Sequence, residues 1–274
     1  MILNIIKSLA VAISEILLLS ANGFENLFEY FKTVYVGNDT GIWLKIFANL
    51  GVFTAVIVFF KEEISAYLKT AWELIVKLLK KEKAEKTDGE YELILLICST
   101  VPMVLWLVIK YAFGFVRGNG FITALAFVLS GVFLLSCDRI KRREYPVKKT
   151  RLSDGVLIGV FRLMGFIPGL SGTAGVIFSS LLSGMKEKII HKFCFIMCLP
   201  VLLGEIIISF PVALKIPMNI KDVIGCIVVL GAGFMATYKL SFVFYNILTK
   251  RKLKIFAYIL FATAFISLLL WMRG

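Results

Sequence analysis

Few residues in this chain could do chemistry, and most of those stand where charge is costly. Glu15, Arg162, Glu205 and Lys239 lie inside long apolar runs, and Glu25, Glu29 and Asp154 lie nearer the ends of such runs. An ionised group in hydrocarbon needs a partner or a function. Glu15 is close to the polar interruption Ser20-Ala21-Asn22-Gly23, where a carboxylate could accept a proton or hold a cation. Arg162 alone of the eight arginines is deep in an apolar run, suited to a phosphate contact or to an ion pair with Glu15. Glu205 and Lys239 read as contacts between helices, Asp154 as a helix N-cap after Ser153, and His191, beside a basic loop, as interfacial. The stretch Pro168-Gly169-Leu170-Ser171-Gly172-Thr173 has the features of an anion-binding turn. Its glycines admit a ligand to the backbone, and the N–H groups opening the next helix point at it. The same residue types equally serve close helix packing.

The elements that position these residues belong to a membrane. Of 274 residues, 59% are hydrophobic and only 18% charged, with a mean hydropathy of +0.89, which excludes an ordinary soluble domain. The net charge of +13 sits in short gaps between apolar runs, so it reads as setting topology and touching anionic head groups, with no nucleic acid as partner. Cys98, Cys137, Cys194, Cys198 and Cys226 fall in apolar stretches without paired metal spacing and read as small hydrophobes. Lys7 precedes an apolar stretch from Leu9 to Leu19, but Glu15 interrupts it and Ser20-Ala21-Asn22 is a poor cleavage site, so this segment is expected to stay as structure.

Apolar runs of spanning length occur near 42–60, 92–113, 120–137, 191–211, 219–245 and 253–272. Two further apolar segments, about 3–35 and 152–184, are broken in the middle by small and polar residues. Backbone breaks at membrane depth need protein or a water-filled cavity around them, so each segment is expected to enter and return as a re-entrant hairpin. Lysines and arginines crowd 61–90, 138–151, 186–192 and 250–254, whereas 114–119 and 212–218 hold only Arg117 and Lys215. All the rich loops share one side only if 152–184 returns to the side it entered from, which leaves both termini outside. The expected fold is an all-α polytopic membrane protein, with six transmembrane helices and two re-entrant hairpins. Residues 1–137 and 138–274 would form the halves of an inverted repeat, whose broken turns meet at a central cavity.

The order of segments and the residues around the turns resemble the undecaprenyl-diphosphate phosphatase family, bacitracin-resistance-type membrane enzymes that recycle the lipid carrier of bacterial wall synthesis. The resemblance runs through Ile13-Ser14-Glu15 to Gly23, Leu152 to Gly184 with Ile167-Pro168-Gly169-Leu170-Ser171, Phe193 to Gly204, and Lys252 to Tyr258. It implies a multi-pass protein of the cell membrane that removes the terminal phosphate of a polyprenyl diphosphate at an outward-facing site. Glu15, Ser20 and Ser171 would be catalytic; Asn22, Arg162, Gly169, Gly172 and Thr173 would bind substrate; and Glu15 would hold Mg²⁺ or Ca²⁺. Self-association into a homodimer is left open. Four positions depart from the family: Val11 stands for a glutamate or glutamine, Ala21 for a second serine, Phe24 for a histidine and Gly172 for a phosphate-binding arginine. Arg162 replaces a usual glutamine and is expected to supply the missing charge across the hairpin. Two other functions remain open at this point. One is a carrier that binds or flips polyprenyl phosphate without cleaving it; the other is a protein that sequesters the lipid or antibiotics acting on it.

Overall fold

Apolar side chains too numerous for one core cover both the inside and the outside of this molecule, and every described element that carries them is a helix. A computed structural model describes residues 2–14, 18–25, 27, 41–80, 85, 87–113, 119–140 and 150–273. Its helices are α1 (Ile2–Ser14), α2 (Gly41–Phe59), α3 (Lys61–Leu79), α4 (Asp88–Phe113), α5 (Gly120–Cys137), α6 (Leu152–Leu163), α7 (Gly172–Leu182), α8 (Glu187–Ile196), α9 (Cys198–Ala213), α10 (Ile220–Thr249) and α11 (Lys254–Arg273). Five stretches among the described residues are long and apolar enough to cross a membrane: α2, α5, α8 with α9, α10, and α11 as far as Met272. They match five of the six runs expected from sequence. The sixth, expected over 92–113, is helical across Asp88–Phe113 and contains Pro102.

The second broken segment is interrupted where its small and polar residues predict, whereas the described break in the first lies at Leu18–Ser20, just ahead of Ala21-Asn22-Gly23, which are helical. In the second, α6 ends in a 3-10 turn over Met164–Phe166, the chain turns at Pro168 and Gly169, and α7 runs back beside α6. The approach is close enough that a Cβ at Gly165 would lie 2.9 Å from the Gly172 Cα. In the first, α1 stops at Ser14 and residues 21–25 are helical again. Glu15 and Glu29 lie outside the described residues, as do Arg117 and residues 141–149 of the basic loops. Around these segments α2 packs along α10, α5 along α11, and α4 along α6.

The segment 61–90, read from sequence as a basic linker, is mostly helix. Helix α3 is amphipathic, with Leu68, Trp72, Ile75 and Leu79 exposed at helical spacing. It is tied down by ion pairs and hydrogen bonds. Lys77 Nζ lies 2.6 Å from Glu90, Lys192 Nζ lies 2.7 Å from Glu92, and the Tyr67 hydroxyl donates to Glu92. Asp154 also differs from expectation. Arg151 occupies the N-cap of α6, and Asp154, three residues on, accepts the Arg151 N–H at 2.9 Å.

Glu90 sits on the first turn of α4, ahead of its apolar stretch, and also accepts the Thr87 N–H at 2.8 Å. The hydrogen bond from Lys77 holds its carboxyl below the ordinary value of 4.5. A depressed carboxylate stabilises the folded state above its unfolded pKa, and that contribution disappears as pH falls through the folded value. Thermal unfolding in detergent from pH 7 downward is therefore expected to show a stability loss that begins below pH 4.5 and is reduced in Glu90→Gln.

Candidate functional site

Two chain reversals built from small residues meet inside the helix bundle. In the second hairpin, Pro168 fixes the chain at the turn, and Gly169 takes a φ of +95° that a side-chain-bearing residue would resist. The Gly169 backbone lies against the Thr123 carbonyl and Ala126 of α5. Ser171 is the N-cap of α7, its hydroxyl accepting the Ala174 N–H at 3.1 Å. The hydroxyl of Ser130, on α5, accepts the Ser171 N–H at 2.9 Å and is within donating distance of the Ala126 and Gly169 carbonyls.

The first reversal uses the same device. Buried Leu18 has a left-handed φ of 64°, and Ser20 opens the following helix by accepting the Gly23 N–H at 3.1 Å. The Ser20 hydroxyl also accepts the Gly169 N–H at 3.1 Å, joining two tips 149 residues apart. Glycine permits that approach, since a Cβ on Gly23 would lie 2.9 Å from the Gly169 Cα and closer still to the Phe127 ring. The Asn22 side chain adds a third link, donating to the Gly165 carbonyl at 2.8 Å.

Beneath the joined tips lies a cleft of about 520 Å³ counted to its mouth. The space inside it open to a water-sized sphere is about 30 Å³, room for a water molecule or two. The polar lining comes from Asn22, Glu25, Lys45, Asn49, Arg162 and Glu205, and the apolar lining includes Met103, Phe166, Val201 and Leu202. Lys45 Nζ bonds both Glu25 oxygens at 2.9–3.0 Å, and the Asn49 side chain donates to Glu205 at 3.2 Å. Arg162 is only 3% exposed; one Nη donates to Thr173 Oγ1 at 2.8 Å and the other to Cys198 Sγ at 2.9 Å. Charges of both signs therefore converge on the cleft, with Arg162 buried and the Lys45–Glu25 pair partly exposed.

Of the residues expected to form a site, Asn22 and Arg162 line this cleft. Ser20, Gly169, Ser171, Gly172 and Thr173 are not in its lining; they stand behind it. The N–H groups of Gly169, Ser171 and Ala174, which an anion-binding turn would offer, are bonded to Ser20, Ser130 and Ser171. Thr173 holds the Arg162 guanidinium, and Gly172 makes room for it. A Cβ at 172 would lie 3.1 Å from Arg162 Nη1 and 3.2 Å from its Cδ. Glu15 lies outside the described residues. Val11 and Ala21, two positions that depart from the resembled family, line the cleft, whereas Phe24 packs edge-on against Phe127.

Sequence reasoning did not single out Lys45 or Asn49, and it read Glu205 as a contact between helices. Their one signal was spacing, because Lys45 and Asn49 are four residues apart and share a face of an otherwise apolar helix. His191 belongs to a buried aromatic cluster with Phe60, Phe195 and Phe244. Among the described residues no group of three or more His, Cys, Asp or Glu is placed to hold a metal ion. The two cleft carboxylates described, Glu25 and Glu205, are instead engaged by Lys45 and Asn49.

Apolar spanning helices, two interrupted segments joined at their tips and a charged interior cleft define a polytopic membrane protein with a polar cleft inside its helix bundle. The chain belongs to the family of bacitracin resistance protein BacA, whose family model matches residues 4–266. It is similar to an undecaprenyl-diphosphatase of Methanococcus maripaludis, 25% identical over 97% of this chain and 98% of the relative. It is also similar to an undecaprenyl-diphosphatase of Corynebacterium glutamicum, 24% identical over 85% and 79%, and to one of Oceanobacillus iheyensis, 25% identical over 83% and 82%.

The tip contact is tight enough for one methyl group to test it. Gly23→Ala is expected to force the two turns apart and to destabilise the protein by about 1–3 kcal/mol, as overpacking does elsewhere. Thermal unfolding of the detergent-solubilised protein reads this, with Gly231→Ala, where a Cβ meets nothing within 4 Å, as the comparison.

Proposed function

We propose that this protein hydrolyses a polyprenyl diphosphate to the polyprenyl phosphate and inorganic phosphate, with the terminal phosphate entering the cleft beneath the joined tips as Lys45 and Glu25 part to admit it. The observation that carries the reading is the convergence of Arg162, Lys45, Glu25 and Glu205 on one interior cleft in a chain of this family. Arg162 is oriented by Thr173 and Cys198 in the wall of the cleft, where it can bind phosphoryl oxygens and stabilise the charge that develops on them. Lys45 is the second cation. As it turns to the phosphate, Glu25 is released to accept a proton from the water that attacks the terminal phosphorus. The P–O bond to the bridging oxygen breaks, and that oxygen leaves with the polyprenyl phosphate.

Water is favoured over Ser20 as nucleophile because the Ser20 hydroxyl lies behind the cleft, accepting two backbone N–H groups. Ser20 and Ser171 are accordingly positioning residues, and Gly169, Gly172 and Thr173 hold the tip and Arg162 in place. The family resemblance assigns Glu15 a further carboxylate role and a share in binding Mg²⁺ or Ca²⁺, which would neutralise diphosphate charge. In the same reading α4 is the sixth spanning helix and the two broken segments are re-entrant. Residues 1–137 and 138–274 are inverted halves, the protein lies in the cell membrane, and both termini are outside. A carrier without bond cleavage is not favoured, because the relatives are named as diphosphatases.

Purified protein is expected to release phosphate from undecaprenyl diphosphate. Arg162→Gln and Glu25→Gln should each lower the rate by about 10²-fold or more, the size of effect seen when one group stabilising a transition state is removed. Release that is indifferent to both substitutions would point to a contaminant. Transfer of polyprenyl phosphate between leaflets without phosphate release would establish the carrier instead.

A further inference from the structure

A second cavity lies on the lipid-facing side of the pair of helices that closes the cleft. Counted to its mouth, as for the cleft, it has a volume of about 870 Å³ and is lined by Leu96, Thr100, Val101 and Val104 of α4 together with Leu199 and Pro200 at the start of α9. Thr100 is the one hydroxyl in that lining, and it is spent on the Leu96 carbonyl at 2.7 Å, so the groove offers a guest nothing but hydrocarbon. Cleft and groove lie along the same two helices. Met103, 1% exposed, and Leu202, 3% exposed, face the cleft, while Thr100 and Leu199, each one helical turn earlier, face the groove. A lipid with its charged head in the interior cleft must pass its chain outward between helices, and Met103 and Leu202 line the cleft one turn from the groove residues Thr100 and Leu199. Met103 has an unbranched, flexible side chain that can move aside.

We propose that this groove is the binding subsite for the isoprenoid chain of the lipid diphosphate, reached from the cleft between α4 and α9 past Met103 and Leu202. The inference rests on the phosphatase reading for its substrate and adds the route and seat of the tail. The occupant is an isoprenoid rather than a phospholipid acyl chain for two reasons. The groove continues a cleft whose Arg162 and Lys45 suit a diphosphate, and it has no polar group left for a glycerol ester.

Val101→Trp and Leu199→Trp fill the groove without touching the cleft. Each is expected to raise KM for undecaprenyl diphosphate about ten-fold, the worth of a few buried methylenes, while leaving turnover of short-chain farnesyl diphosphate at the wild-type level. Unchanged kinetics on both substrates would overturn the groove and leave the phosphatase reading standing. A readout without turnover separates the two ideas. The photoreactive residue p-benzoylphenylalanine is placed at Val101, or at Ile227 on α10, 62% exposed, as a lipid-facing reference. In vesicles of phosphatidylglycerol containing radiolabelled undecaprenyl phosphate, label is expected to attach at position 101 well above position 227 and to be displaced by unlabelled undecaprenyl phosphate. Equal labelling at both positions would overturn the subsite whether or not the protein releases phosphate.

Discussion

The hydrogen bond from the Gly169 N–H to the Ser20 hydroxyl is the contact on which the rest of the site depends. It joins two chain reversals that each leave unpaired N–H groups at the start of a helix. In water such groups could find solvent; inside an apolar bundle they must be met by protein. One serine hydroxyl meets two of them, capping its own helix and holding the tip of the opposite hairpin. Ser130 does the corresponding service for Ser171 from α5. The tips are thereby held by backbone contacts that leave no room for a side chain at Gly23 or Gly169, and the cleft beneath them inherits that rigidity.

Electrostatics in the cleft follow from the same packing. Arg162 could not lie where it does if position 172 carried a side chain, because its guanidinium occupies that space. Gly172 and Arg162 are two sides of one arrangement, in which the cation comes from the first arm of the hairpin and the second arm supplies Thr173 to orient it. Val11 and Ala21 make part of the lining apolar, and Lys45, Glu25, Asn49 and Glu205 supply polarity from neighbouring elements. The result is a cleft that keeps both signs of charge although several positions of the resembled family have changed.

Much of this frame was legible in the chain. Spanning helices announce themselves by apolar length, so α5 begins and ends where expected and α2, α10 and α11 differ by a few residues. The second interruption was readable from Pro168 and Gly169, while the first falls at Leu18–Ser20, a few residues ahead of the small and polar residues that marked it. Side-chain direction was not readable. Ser20 and Ser171 look like chemistry in a sequence, and what no one-dimensional string tells is that each also accepts a backbone N–H at the start of a helix. Lys45 and Asn49 were missed for the opposite reason, because a polar pair on an apolar helix resembles ordinary glue until a neighbouring helix shows what it faces. Helix α3 was hidden by its lysines, which made an amphipathic helix look like a linker.

Amide hydrogen exchange resolved at Gly169 tests the tip-to-tip bond most directly. The Gly169 amide is expected to be strongly protected in the wild-type protein and to lose that protection in Ser20→Ala, although the two residues are 149 positions apart. Protection unchanged by that substitution, or an amide that already exchanges freely in the wild type, would contradict the account.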